Sequence, residues 1–506
     1  MNSIFKTMKD RYVNLNPNEL VKFLGKPAKE FLRNDLIRFI EAYNIEGINF
    51  RYIAEDGRLK ALSFVIHSRE HLEQILTYGE RVDGSSLFSF VDAGSSDLYV
   101  VPRYRTAFLN PFSEIPALDI LCSFYTSDGK PLENAPEYIL KKAHDLFKLK
   151  TGMKFKALGE LEYYINSPRT GLFEVADQKG YHQSAPLSKW EHLRIEALSL
   201  IARAGGKVKY SHNEVGNFYS ETELYEQHEI EFLPTEVEDA ADQLVVAKWI
   251  LRMLAAKYGV EISFAPKISE GQAGSGLHIH MMAQKGEQNM MADENGVSNT
   301  AKKMIAGVLQ MAEAITAFGN TIPTSYLRLV PDQEAPTSIC WGDRNRSVLV
   351  RVPLGWLVRN NMINDANPQE EAASDKAPER QTFEFRAADG SADIHSLLAA
   401  LVISSLQGLE QEESLEIAKS LYVDRDIHKN KKGYAHLKLL PASCYESAQA
   451  LKAKRSIFEA EGVFPVGMID NVISRLEAFQ DQHLSERLHG KTDEIRELVL
   501  KYIHIK

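Results

Sequence analysis

Apolar positions three and four apart give residues 17–44 the spacing of a helix face, and the stretch that follows changes period. INFRYIAEDGRLKALSFVI alternates apolar and polar side chains on either side of Asp56 and Gly57, which predicts two strands joined by a tight turn. DLYVVPRYRTAF and ALDILCSFYTSDGKPL continue the strand pattern with turn residues between them. A helical segment over residues 1–45 and a sheet domain over residues 46–135 are therefore expected. PEYILKKAHDLFKLKTG then predicts a helix leading into the strand FKALGELEYYI, after which helices and short strands alternate. Residues 136–506 read as one large α+β unit. Its last stretch, KTDEIRELVLKYIHIK, predicts a helix whose apolar and basic strip suits docking between subunits.

Neighbouring side chains on a strand face opposite ways, so residues two apart share a face. GELEYYI thereby puts Glu160 and Glu162 on one wall, GSGLHIHMM does the same with His278 and His280, and TFEFRA with Glu384 and Arg386. Carboxylates aimed into one space raise each other's pKa unless a cation neutralises them, and glutamate oxygens with an imidazole suit magnesium or manganese. Glu214 in SHNEVG and Glu229 in EQHEI lie in segments able to reach the same wall. A single such pair is more often a solvated sheet face or a satisfied core histidine. Three in one chain favour a metal site. Arg328, Arg344, Arg346, Arg351 and Arg386 form a second group, and forked guanidinium groups beside metals point to phosphoryl transfer. No GxxxxGK[ST] loop occurs, so a nucleotide would be held without a P-loop.

Composition narrows the picture further. With 506 residues, 44% of them hydrophobic and 25% charged, the chain reads as an ordinary folded protein of more than one domain. A net charge of -10 gives no general attraction to nucleic acid or anionic membrane. The longest apolar run, residues 397–406, is too short for a bilayer, and MNSIFKTMKDRYV lacks the unbroken apolar stretch of a secretory signal. Cys122, Cys340 and Cys444 are scattered, as suits a reducing compartment. A cytoplasmic protein with neither a nucleic-acid partner nor a membrane span is expected.

Read in order, DGSSLFSF, GELEYY, KGY, NEVG with QHEI, GSGLHIH, RLVPDQEAP, RNRSVLVRVP and FEFR resemble the glutamine synthetase family over nearly the whole chain. The resemblance implies an N-terminal β-grasp domain and a catalytic domain whose curved antiparallel sheet forms a funnel flanked by helices. It further implies two stacked hexameric rings with active sites between subunits. Carried onto this sequence, Glu162, Glu214 and Glu229 would hold one magnesium or manganese ion and Glu160, His278 and Glu384 another. Arg328 and Arg386 would bind the substrate carboxylate or the transferring phosphate, Arg346 would stabilise the phosphoryl transition state, and Arg351 and His280 would face ATP. Gly274 would line the glutamate site. Asp83 would take a proton from ammonium, with Ser86, Tyr181 and Glu214 completing the pocket and Glu334 closing over it. The implied reaction joins ammonia to the γ-carboxylate of glutamate through an acyl phosphate; a γ-glutamyl ligase for a larger amine is the alternative.

The sequence departs from the family pattern in places. The interval between Glu214 and Glu229 is about seven residues longer than usual, an insertion of the kind surface loops tolerate. Ala273 stands where an asparagine usually helps hold glutamate, and Glu379 and Thr382 stand where basic residues are common, with Arg380 placed to compensate. Tyr422, near the adenylylated tyrosine of some bacterial members, is expected to be an ordinary buried residue.

Overall fold

Asp56 and Gly57 form the predicted turn: β1 (Gly47–Ile53) and β2 (Leu59–Val65) pair antiparallel around it, and Gly57 takes φ +71°, which a residue without Cβ adopts without strain. The computed structural model describes residues 15–330, 335–355, 362–370, 380–427, 429, 433–488 and 490–505. The helical spacing of residues 17–44 resolves into Glu19–Leu24 and α1 (Arg33–Tyr43), parted by left-handed Gly25 and by Pro27. α2 (Arg69–Tyr78), β3 (Glu80–Asp83), β4 (Asp97–Pro102) and β5 (Ala117–Tyr125) follow. The strands run in the order β2-β1-β5-β4-β3, with β1 and β5 parallel at the centre. Leu36, Phe39, Leu76 and Ile120 pack in the core beneath them.

The second unit begins at α3 (Pro136–Thr151), where proline occupies a first-turn position that needs no amide donor. Then come β6 (Lys154–Pro168), α4 (Glu191–Arg203), β7 (Val208–Tyr219), β8 (Glu223–Phe232), α5 (Val237–Tyr258), β9 (Leu277–Lys285) and α6 (Asn299–Gly319). β10 (Trp341–Asp343), β11 (Val350–Val352), β12 (Phe383–Phe385), α7 (Ile394–Glu410) and α8 (Cys444–Phe458) follow. The curled sheet runs β10-β11-β12-β9-β6-β8-β7, antiparallel at every step except β10 with β11. On β6 the alternation is complete: Leu161 and Tyr163 are fully buried in the large core while Glu160 and Glu162 point the other way. The apolar run of residues 397–406 belongs to α7, a helix buried in that core, and no described helix is long and apolar enough to cross a membrane.

The two units are tied by charge. Arg103 donates to both oxygens of buried Asp242 on α5, at 2.7 and 2.9 Å, and the Arg51 guanidinium lies 4.5 Å from the Trp249 ring. The terminal helix, α9 (Thr492–Tyr502), docks on its own chain. Ile495 and Val499 pack with Ile268 and Leu327, and Arg58 and Arg252 donate to the carbonyls of His504 and Ile505.

Candidate active site

Strand register assembles the polar wall. Glu160 on β6 lies opposite His278 on β9, and Glu162 opposite Glu229 on β8, which in turn faces His212 on β7. Across β9, His280 lies opposite Glu384 on β12, and Glu384 opposite Arg351 on β11. Directly opposed residues of antiparallel strands share a face and bring their Cβ atoms to about 5 Å, so residues hundreds of positions apart converge without any loop having to place them. Glu214 arrives differently. Asn213 pairs with His228 and Asn217 with Glu226, so three residues, Glu214 to Gly216, oppose Gln227 alone, and this bulge re-aims the Glu214 side chain.

Two clusters result. In Glu160, His278 and Glu384, and again in His212, Glu214 and Glu229, one ligand atom per residue lies within 4.8 Å of the others. His278 Nδ1 is 2.9 Å from Glu160 and 3.5 Å from Glu384, while His280 Nε2 is 2.9 Å from the other Glu160 oxygen. His212 lies 3.8 Å from Glu214 and 3.9 Å from Glu229. Glu162 stands between the clusters, 4.0 Å from His278, and accepts hydrogen bonds from the Gly276 amide at 2.6 Å and the Gln227 amide at 3.3 Å.

The clusters differ in charge balance. Burial pushes the Glu160 carboxyl up, but His280 and His278 outweigh it and hold Glu160 well below the carboxylate range. Glu384 is likewise lowered, because Arg386 and the two imidazoles overcome burial and the Glu160 charge. His280 moves up, the Glu160 carboxylate prevailing over burial. Glu229 has no such relief: burial, then Glu160, Glu162 and Glu214, raise its carboxyl well above the usual range. His212 is pushed down by burial and by neighbouring His182, which favours the neutral imidazole that can offer a lone pair. Oxygen-rich, short of positive charge and lined by neutral imidazole, this donor set fits a divalent cation.

The arginines surround the first cluster. Arg351 donates to Glu384 at 3.1 Å, and Arg386 donates to the other Glu384 oxygen at 3.0 Å and to the Arg346 carbonyl. Arg328 is buried, donating to the carbonyls of Ala387 and Arg386, with its Nη2 3.5 Å from His278. Glycine makes this approach possible: a Cβ at Gly276 would lie 2.6 Å from Arg328 Nη2, and one at Gly274 would lie 2.9 Å from Arg328 Cγ. The Arg346 side chain is exposed. Tyr181, 52% exposed, stacks on His182 and meets His212 edge-on at 5.5 Å.

Asp83 and Ser86 stand apart from the wall, on the edge of the N-terminal sheet. Asp83 accepts from the hydroxyls of Ser85 and Ser86, both at 2.7 Å, and these bonds, that from Ser86 foremost, hold its exposed carboxyl well below the usual range. Glu334 and Glu379 lie outside the described residues. Thr382 bonds His280 Nδ1 at 2.9 Å, so it orients the imidazole. Tyr422, expected to be buried, is 41% exposed and rests edge-on against Trp341.

Two residues of the site were missed. His212 carries the same polar-x-polar spacing, with Glu214, that marked the other strands. Gln227, which bonds Glu162, the Gly274 carbonyl and the Gly216 amide, had no such signal, because its role depends on the bulge. A third acidic and imidazole group, His144 with Glu236 and Glu238, is of another kind. The Phe155 amide donates to His144 Nε2, which leaves Nδ1 protonated toward Glu238 and without a lone pair for a metal.

Family models agree with this architecture. Residues 133–478 match the glutamine synthetase catalytic domain and residues 44–127 the glutamine synthetase beta-Grasp domain, so the chain belongs to the glutamine synthetase family. It is a ligase of that family. Similar proteins include glutamine synthetases of Methanococcus maripaludis, 28% identical over 84% of this chain and 91% of that one, and of Thermotoga maritima, 29% identical with the same coverage. Among solved structures, a Plasmodium falciparum glutamine synthetase superposes with a TM-score of 0.73 at 18% identity, covering 90% of this chain and 97% of that one. A ligand-free GmaS gives 0.71 at 18% identity, with 89% and 97% covered. At such identities the superpositions speak for the fold alone.

Proposed function

We propose that this enzyme joins ammonia to the γ-carboxylate of L-glutamate at the expense of ATP, through γ-glutamyl phosphate, releasing glutamine, ADP and phosphate. The observation that carries the reading is the pair of three-residue clusters on one sheet face, bridged by Glu162. His212, Glu214 and Glu229, with Glu162, would hold one magnesium or manganese ion, and Glu160, His278 and Glu384 the other. Bound there, the ions would neutralise charge on the phosphates and carboxylate that must approach one another. Arg351 and His280 would face the nucleotide, Arg386 and Arg328 the substrate carboxylate or transferring phosphate beside Gly274, and Arg346 the phosphoryl group in flight.

The second step needs an amine with a free lone pair. Asp83, its carboxyl ionised at neutral pH, is suited to drawing in ammonium by charge; to take its proton it would have to give up the hydrogen bonds from Ser86 and Ser85 that hold it low. Tyr181 and Glu214 would complete the pocket, with Glu334 closing over it. Asp83 is exposed at the edge strand of the N-terminal sheet, a position open to a neighbouring subunit in two stacked hexameric rings. Three buried, unpaired cysteines support a cytoplasmic setting.

A second reading, γ-glutamylation of an alkylamine, ethanolamine or polyamine, is favoured by Ala273 in place of the usual asparagine. Phosphate release with magnesium, ATP and glutamate, measured across ammonia, methylamine, ethanolamine and putrescine, separates the two. Turnover highest with ammonia is expected; turnover with a larger amine and none with ammonia transfers the assignment.

A further inference from the structure

The extra residues between Glu214 and Glu229 do not form a free surface loop. They lengthen the β7–β8 hairpin by ordered rungs: Asn217 pairs with Glu226, Phe218 with Tyr225 and Tyr219 with Leu224, and the Phe218 and Tyr225 rings stack at 4.5 Å. The first of these rungs is unlike the others. Asn217 and Glu226 are polar, each only 3% exposed, and as directly opposed residues they point to the same side.

What they face is the loop that carries Tyr181. Asn217 Nδ2 donates to the carbonyls of Val175 and Ala176 at 3.3 and 3.2 Å, its Oδ1 accepts from the Lys179 amide at 2.8 Å, and its own carbonyl accepts from the Gln178 amide at 2.9 Å. Gln178 passes the connection on, accepting from the Ala273 amide at 3.0 Å, next to Gly274. Glu226 secures the other end, accepting from the Ser188 hydroxyl and the Lys189 amide, both at 2.9 Å, and from the Trp190 amide at 3.2 Å. Between the anchors the loop lies against the bulge: Gly180 donates to the Val215 carbonyl and His182 to that of Asn213. A Cβ at Gly180 would come within 2.6 Å of the Glu214 carbonyl, so the seat admits little else.

We propose that the Asn217–Glu226 rung is a positioning element that fixes Tyr181 beside His212 and Glu214 and thereby sets how small an amine the enzyme selects. Neither residue touches substrate; both act through the 175–190 loop. One polar rung holding both ends of that loop explains why the longer hairpin is compatible with a site so close to it: the added length is a brace. The inference rests on the amine-ligase reading above.

The test compares the full-length wild type with Asn217→Ala, Asn217→Asp and Glu226→Gln. Asn217→Ala is expected to raise KM for the amine about tenfold, the effect of roughly one or two hydrogen bonds, with KM for ATP and kcat within about twofold and weaker preference for ammonia over methylamine. Asn217→Asp keeps the acceptor for Lys179 but sets a buried carboxylate oxygen against the Val175 and Ala176 carbonyls, so it should raise the amine KM at least as much as Asn217→Ala, and Glu226→Gln should shift KM in the same direction by less. Amide hydrogen exchange is expected to quicken over residues 175–190 and nowhere else. Unchanged amine KM, an equal loss for every substrate, or unchanged exchange in that loop overturns the proposal. A wild type that uses a larger amine and not ammonia would sink the ammonia reading alone, since the comparison then runs on that amine. The exchange measurement needs no substrate and decides the bracing claim by itself.

Discussion

At the scale of single residues, Glu229 carries a carboxyl raised by burial and by three neighbouring carboxylates. As pH climbs past the ordinary carboxylate range, the unfolded chain gives up this proton first, so the contribution of Glu229 to the stability of the metal-free protein falls with rising pH. Glu229→Gln removes the charge while keeping the shape. In chelator the variant is expected to melt as high as wild type near pH 4 and higher at pH 8; with manganese at pH 8 the order reverses, since wild type gains from two ions and the variant from one. Melting curves in chelator and in manganese check both halves. His212 belongs to the same scale. Its spacing from Glu214 was as legible as that of Glu160 from Glu162, whereas the balance of charge around each carboxyl was not, because that depends on which strands lie alongside.

At the scale of elements, alternation and turn chemistry located the strands that matter: the turn at Gly57, the two-faced β6 and the His-x-His of β9 all stand where the pattern put them. Register and bulges were beyond its reach. Nothing local to SHNEVGNFYSETELYEQHEI says that three residues will oppose one, yet that offset aims Glu214 and creates the rung that braces the Tyr181 loop. The apolar strip of the terminal helix was visible in the sequence, whereas its packing of Ile495 and Val499 with Ile268 and Leu327 was not. Helix packing offers a direct test. A Cβ at Gly307 on α6 would lie 2.6 Å from the Gly408 amide and closer still to the Ser404 carbonyl, both on α7. Overpacking of this kind costs about 1–3 kcal/mol, so Gly307→Ala is expected to lower the unfolding free energy by that amount in denaturant titration. No change in midpoint would mean the helices do not meet so closely.

At the scale of the whole molecule, the N-terminal sheet is held to the catalytic unit by Arg103 and Asp242. Burial alone would raise the Asp242 carboxyl, but Arg103 prevails and it lies well below the usual range. A depressed carboxyl contributes stability that is complete above its unfolded pKa and is lost as pH falls through that value toward the folded one. Asp242→Asn leaves the guanidinium buried without its countercharge and is expected to cost about 3–5 kcal/mol near neutrality, the gap from wild type narrowing below about pH 4. Denaturant midpoints across pH 3 to 8 measure it, and a gap independent of pH would deny the ion pair its role. The ordered motifs that led to the family spread across both units, so the family was readable from sequence while the joint between the units was not. The central claim, that distant ligands converge to hold a pair of divalent ions, is tested most directly by counting manganese bound per chain by electron paramagnetic resonance. Two saturable sites are expected, falling to one in Glu229→Gln and in Glu384→Gln taken separately; a single site, or binding indifferent to both substitutions, would contradict it.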